Sequence, residues 1–532
     1  MGSGAGWLGG GHEDMACSKI WLFDAGGGGD ARGIVRCALR RSFTRSQVEI
    51  AGAIGIPTEM GGLVVVNGEN SELSLRKHRG GAMKILVLGD VDREFGSEIG
   101  LEAIFGGACN EELIQSEKGG AYDTTGKYVE YVADKVLGRA AVFETRYLCR
   151  YDFEREWNNH GYGKITTDGG TWTLRQREKA KDAVTLAQVK DKAGDCVTVY
   201  ATVTDLPDTS ILWFNRVVGP VDSLEWRIVE SFFSEYRCGE LPCFPCLMEI
   251  PFGYQGAVTM HIDCDEAIAS GRELFELYTR NGIPFSMAVK TGQEISSEDI
   301  EMMREVLRSG GSVVSHSQNH LENWGPDYET AYREAAASRK WLEENVTGGR
   351  PVTRAVSPFY KNPPYAVAAL AEAGYTGFVG GIISSDPEYL MGRAGIVPFV
   401  DRKIVSHSQQ CMLHGDCYHR YGDSIIPYTE AFENHLKGQA IFGYVDHPFS
   451  NRYWYGWKSE AERLEVHEKF IQHMKNSGNI WFCSLDECLS FIERRNDVPV
   501  WVDEHGELRV DNPHRGSALE FSVRWGDKVI RV

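Results

Sequence analysis

The 532-residue sequence lacks any uninterrupted apolar run of about 18 residues, the length that would suggest a membrane-crossing helix. Its opening, "MGSGAGWLGGGHEDMACSK", has neither the basic start nor the apolar core of a secretory signal. The expectation from both absences is a cytoplasmic protein with no membrane span. Positive charge is scarce as well: 56 Lys and Arg stand against 75 Asp and Glu, a formal net charge of −19. Sequence-independent attraction to nucleic acid or anionic membrane comes from clustered Lys and Arg, so no nucleic-acid partner is expected. Cysteine is neither dense nor even in number. The 13 cysteines are scattered irregularly, which suits reduced thiols better than a disulfide framework. One cluster stands apart: Cys238, Cys243 and Cys246 in "CGELPCFPC" have the opening spacing of a plant-type iron–sulfur pattern. No partner cysteine follows in a recognisable context, and a turn-rich linker is the plainer reading.

What is present is the makeup of an ordinary soluble protein, 42% hydrophobic and 25% charged, in a chain too long for a single core. Residues 1–34 hold two glycine-rich patches and read as a flexible leader. Residues 35–247 read as a mixed, β-rich accessory domain without an assignable role. Its strand-like runs are "MKILVLGDVD", "CVTVYATVT" and "ILWFNRVV", and "GAYDTTGKYVEYVADKVLG" is expected to carry a helix. Residues 253–492 behave differently, because short apolar runs alternate with helical segments. Strand "GAVTMHID" precedes a helix stopped by Gly282, and "SSEDIEMMREVLRSGG" opens on a Ser296-x-x-Asp299 capping pattern before strand "SVVSHS". Repeated strand–helix units imply parallel strands covered by helices, an α/β barrel or doubly wound sheet, with ligand sites at the carboxyl ends of the strands. Residues 498–532 alternate apolar and polar positions around "DEHGE" and read as a short C-terminal β appendage.

The unusual polar residues fall at those strand ends. Asp263 and Asp265 close "HIDCDE", His316 and His320 follow "SVVSHS", Pro358 and Phe359 close "AVSPF", and His447 closes "GYVDHPF". A catalytic divalent ion wants a few nitrogen or oxygen ligands and an open position for water. His316 and His320, four apart, can meet one ion if a helix begins there, with Asp265 as the third ligand. Asp263, two residues earlier on the same strand, would face the site as general base on the ion's water, and His447 would protonate the leaving group.

Together these segments resemble the polysaccharide deacetylase (NodB-homology) family. "TMHIDCDE", "SHSQNH", "AVSPFY" and "YVDHPF" stand in family order at family-like spacing across about 253–492. The resemblance implies a distorted (β/α) barrel and metal-dependent hydrolysis of an N-acetyl group on an amino sugar or glycan, by attack of a water held on the metal. It makes Asp263 the base, Asp265, His316 and His320 the ligands and His447 the acid. The backbone N–H near Phe359 would help hold the oxyanion, worth roughly 3 kcal/mol for one donor. Zinc is the default ion, and cobalt, nickel or iron would also suit two histidines and a carboxylate.

Departures from the family pattern matter. Cys264 separates aspartates that are adjacent in the commonest motif, an arrangement that looks like the peptidoglycan-deacetylase and allantoinase-like branch. Hydrolysis of an imide, formamide or ureide therefore stays open. On a strand Cys264 should point away from the face shared by its neighbours. Arg354 is the nearest arginine ahead of Pro358, and Asp386 and Arg393 are the nearest polar candidates for a late aspartate–arginine pattern.

"CMLHGDCYHRYGD" offers Cys411, His414, Cys417 and His419 at spacing too tight for a usual zinc finger, and reads as a substrate-facing loop with His414 and Asp416 lining the pocket. The aromatics Phe449, Tyr453, Trp454, Tyr455 and Trp457 stack on sugar rings or pack a loop. A glycan precursor, lipid-linked sugar or aminosugar metabolite is the expected partner. The rival of another class, an inactive carbohydrate-binding barrel, would be missing a key residue, and all five are present.

Overall fold

The structure, a computed structural model, describes residues 19–24, 29–50, 61–68, 81–104, 126–132, 137, 140–148, 158, 160–163, 173–381, 393–397, 400, 402–450 and 452–532. Apolar, β-branched runs in the second half form parallel strands: β1 (Gly256–Cys264), β2 (Ser286–Val289), β3 (Ser312–Ser315), β4 (Arg354–Val356), β5 (Gly377–Gly381), β6 (Val405–Gln409), β7 (Ile441–Asp446) and β8 (Ile480–Cys483). Neighbours from β1 to β6 pair in chain order, while β1 also pairs with β7 and β8. Beyond β6 the short strand Cys411–Met412 pairs with β7. Every residue of β1 is buried. Val258, Met260, Ile262 and Cys264 sit in the core formed with the helices. The odd-numbered residues therefore face the opposite side, since side chains alternate along a strand.

The helices between and after these strands include α1 (Arg272–Arg280), α2 (Ser297–Arg308), α3 (Tyr328–Asn345), α4 (Pro364–Glu372), α5 (Gly415–Arg420), α6 (Ile426–Gly438), α7 (Glu460–Asn476) and α8 (Leu485–Arg495). Several of their ends are set by local chemistry. Ser296 accepts from the Asp299 N–H, and the Asp299 carboxylate reaches back to the Ser296 N–H, a reciprocal cap. After α1, Gly282 adopts φ +68°, a left-handed conformation that glycine takes without strain.

The described residues of the first half form a nine-stranded sheet. Val48–Ile50, Ile20–Asp24, Gly62–Gly68, Met83–Val91 and Thr209–Phe214 run parallel, and Cys196–Asp205, Val184–Lys190, Tyr128–Tyr131 and Thr145–Tyr147 continue it antiparallel. One expectation is corrected here. Within the expected leader, Ile20–Asp24 is a strand flanked on both sides, and a helix starts at Gly29. The apolar "IWLF" supplies burial that its glycine-rich flanks cannot. Of the stretch "GAYDTTGKYVEYVADKVLG" expected to carry a helix, only residues 126–132 and 137 are described, and Tyr128–Tyr131 within it is a strand, where valine and tyrosine suit a sheet; the rest of that expectation lies outside the described residues. In the C-terminal segment, Val500–Val502 pairs with Leu508–Val510, and Ser522–Trp525 pairs with Cys246–Leu247 as well as Lys528–Arg531.

The two halves are joined by buried charges. Arg393 pairs with Glu249 and, at 3.4 Å, with Glu230, while Arg41 donates to the Arg393 carbonyl at 2.6 Å. Among the described residues, no helix is long and apolar enough to cross a membrane.

Candidate metal centre

Strand β1 delivers His261 and Asp263 on one face, and Asp265 follows at its end. His316 follows β3, its backbone N–H held by the Val289 carbonyl at 2.9 Å. Its ring is set by a bond from Nδ1–H to the Val356 carbonyl at 3.0 Å, which leaves Nε2 with a lone pair. The expected helix at His316 does not form. The chain turns through Ser317 and His320, both at positive φ, and the His320 N–H donates to Ser317 Oγ at 2.8 Å. Glu334 of α3 clamps the turn by accepting from the Asn319 backbone N–H at 2.7 Å and its amide at 2.6 Å. Gly292 lets the preceding loop approach: a Cβ there would lie 2.4 Å from the Gln318 carbonyl oxygen.

Asp265, His316 and His320 each offer one ligand atom, all within 4.8 Å of one another. Tetrahedral ligands at about 2.1 Å from an ion lie about 3.4 Å apart. Asp265 Oδ1 is 3.5 Å from His316 Nε2 and 3.3 Å from His320 Nε2. His316 Nε2 and Asp265 Oδ1 are buried without a hydrogen-bond partner. Such atoms are costly to bury unsatisfied, and a cation answers both at once. Burial pushes the Asp265 carboxyl up, but His316, His320 and His447 outweigh it and hold it below its ordinary value. Burial, then His316, depresses His320 to about 4, so it is neutral near pH 7, as a ligand must be. The donor set therefore fits a divalent ion. It is the one such group of His, Cys, Asp or Glu among the described residues.

Asp263 and His447 flank this group. Asp263 Oδ2 lies 3.8 Å from His316 Nε2, and His447 Nε2 lies 4.0 Å from Asp265 Oδ2. The His447 ring stacks on Tyr455, with centroids 3.9 Å apart. Arg463 holds its carbonyl, and Asp446 accepts from its N–H at 2.7 Å. Two neighbours of Asp263 escaped the sequence reading: Tyr360 donates to its Oδ2 at 2.5 Å, and His261 Nε2 is 3.4 Å from its Oδ1. His261 was readable from its place two residues before Asp263, on the same strand face. Tyr360 was not, because Phe359 and Tyr360 both sit at positive φ in a turn that no propensity foretells.

The remaining candidates fall in several places. Phe359 is 49% exposed and lays its ring on His320, centroids 4.6 Å apart. Trp454 is exposed and stacks on Phe449. Asp416 is exposed at the start of α5, which buried His414 caps, accepting from the Asp416 N–H while its Nε2 meets Tyr453 Oη at 3.1 Å. Arg354 is turned away from the site, bound to Thr376, to Ser490 at 3.0 Å and to Glu493 at 2.8 Å, so it orients nothing there. Arg393 belongs to the buried ion pairs, and Asp386 lies outside the described residues. Cys264 packs into the core, as alternation requires. Cys411, Cys417, His414 and His419 form no second ion group among the described residues, nor do Cys238, Cys243 and Cys246. Cys243 instead lies 3.1 Å from the buried Lys84 ammonium, and Cys246 is in the strand that meets the C-terminal segment.

No family model and no curated protein matches the chain. Several solved structures are similar to it. Agd3, a carbohydrate deacetylase, aligns at 10% identity over 95% of this chain and 91% of its own, with a TM-score of 0.40. Puue allantoinase aligns at 11% identity over 46% of this chain and 91% of its own, with a TM-score of 0.36. A family 4 acetyl xylan esterase from Clostridium thermocellum, in complex with a cobalt ion, aligns at 12% identity over 44% and 91%, with a TM-score of 0.29.

Proposed function

We propose that this chain is a hydrolase that removes an N-acetyl group from an amino sugar or glycan, using a divalent ion held by Asp265, His316 and His320. The observation that carries the reading is the convergence of those three ligand atoms within 4.8 Å, with Asp263 and His447 on either side. Zinc is the ion of choice, and cobalt, nickel or iron suits the same donors. When bound, the ion supplies a Lewis acid that polarises the acetyl carbonyl and acidifies water.

The chain's own residues do the rest. Asp263 takes the proton of the attacking water, and His447, clamped through its backbone and stacked on Tyr455, gives a proton to the departing sugar amine. The Phe359 backbone N–H donates to the oxyanion that develops on the acetyl carbonyl. Around this centre the half-exposed rings of Phe359, Tyr453 and Trp454 offer faces on which a sugar can stack. The run 405–412 pairs with β5 on one part and with β7 on the next, which supports a distorted (β/α) barrel over about 253–492.

The test is elemental analysis of the purified protein, followed by acetate release from N-acetylglucosamine oligomers by wild type, Asp263→Asn and His447→Ala. One ion per chain and acetate release abolished in both variants support the proposal. No bound ion after zinc is supplied would sink it. Formate or a ring-opened acid from the matching amide substrates, without acetate from the oligomers, would move the site to another carbon–nitrogen bond.

A further inference from the structure

Asp263 is anchored by a buried phenol. Tyr360 is 7% exposed and donates to Asp263 Oδ2 at 2.5 Å, and His261 Nε2 is 3.4 Å both from Tyr360 Oη and from Asp263 Oδ1. The phenol reaches this position because Phe359 and Tyr360 hold φ of +52° and +55°. That strain sends the Phe359 ring outward over His320 and the Tyr360 ring inward. Non-glycine residues in this region cost about 1–3 kcal/mol each and persist where the surroundings impose them. The arginine nearest in sequence, Arg354, is committed to Glu493 and cannot orient the carboxylate. A carboxylate oxygen has two acceptor sites, so a bond from Tyr360 leaves Asp263 able to take a proton.

We infer that Tyr360 is the positioning residue of the catalytic base: its hydroxyl fixes the plane of the Asp263 carboxylate beside the metal ligands. The inference rests on the hydrolase reading above. Tyr360→Phe removes the hydroxyl and keeps the ring, so the turn and its packing are retained. The expected result is a fall in kcat for acetate release from N-acetylglucosamine pentamer of about 10- to 100-fold, with KM and bound ion per chain unchanged. Crystal structures of both proteins should show the Asp263 carboxylate rotated from its wild-type plane in the variant. An unchanged kcat overturns the inference, as does a loss that follows KM or ion content. If wild type releases no acetate from the pentamer, the hydrolase reading suffers on its own account, and the crystal comparison decides this one: a carboxylate that stays in place refutes positioning by Tyr360.

Discussion

At the scale of the residue, the metal centre depends on two histidines that present lone pairs for different reasons. His316 is oriented by its bond to the Val356 carbonyl, and His320 by a left-handed turn and the Phe359 ring. Replacing either with alanine should remove the bound ion, read as metal per chain after dialysis against a weak chelator. Cys264→Ala, which removes only Sγ from the helix-side core, should keep the ion and cost about 1 kcal/mol of stability, measured by denaturant titration. The period of two made Asp263 and Asp265 legible as a pair at the end of β1, with Cys264 on the other face, while His261, one step earlier on the same face, went unread. The geometry at Tyr360 was hidden because a positive φ at a non-glycine residue is imposed by tertiary packing and leaves no trace in composition.

At the scale of the element, the most informative piece is α3, whose Glu334 holds the turn between His316 and His320. Glu334→Gln should weaken metal affinity about tenfold by loosening Asn319, a change that competition with a zinc-sensitive dye would detect. On α2, Ser296→Ala removes half of a reciprocal cap and should cost about 1 kcal/mol, seen as a lower melting temperature with the ion content intact. Caps and glycine stops were legible since they act within one turn of chain, as Ser296 with Asp299 and Gly282 after α1 demonstrate. The strand at Ile20–Asp24 was not, because its partners Val48–Ile50 and Gly62–Gly68 lie well beyond any local window. The strand at Tyr128–Tyr131 pairs with Thr145–Tyr147 on one side, but its other partner, Val184–Lys190, arrives much later in the chain.

At the scale of the whole molecule, buried neutral histidines set the response to acid. Burial depresses both His407 and His435 to about 4, against an ordinary value near 6.5. Below about pH 6.5 the unfolded chain binds these protons and the folded one does not, so stability is full above that pH and falls as pH drops toward 4. Melting temperature should therefore decline steadily between pH 7 and 5. His435→Gln should flatten that decline, provided the variant's stability at pH 7 is used as its own reference. The two sheets were legible in outline as strand-rich and strand–helix halves. Their joining was not, because Arg41, Glu230, Glu249 and Arg393 are scattered charges until the fold brings them together.

That joining also bears on how the molecule is made. Thr44 Oγ1 donates to the Val500 carbonyl at 3.0 Å, across 456 residues of sequence. Cys246–Leu247 likewise waits for Ser522–Trp525. Chains emerge from the ribosome N-terminus first and fold by parts. The first half must therefore spend most of synthesis with its seam toward the second half uncovered, and this interval, rather than the finished protein, is when the molecule is most exposed to aggregation and most in need of a chaperone.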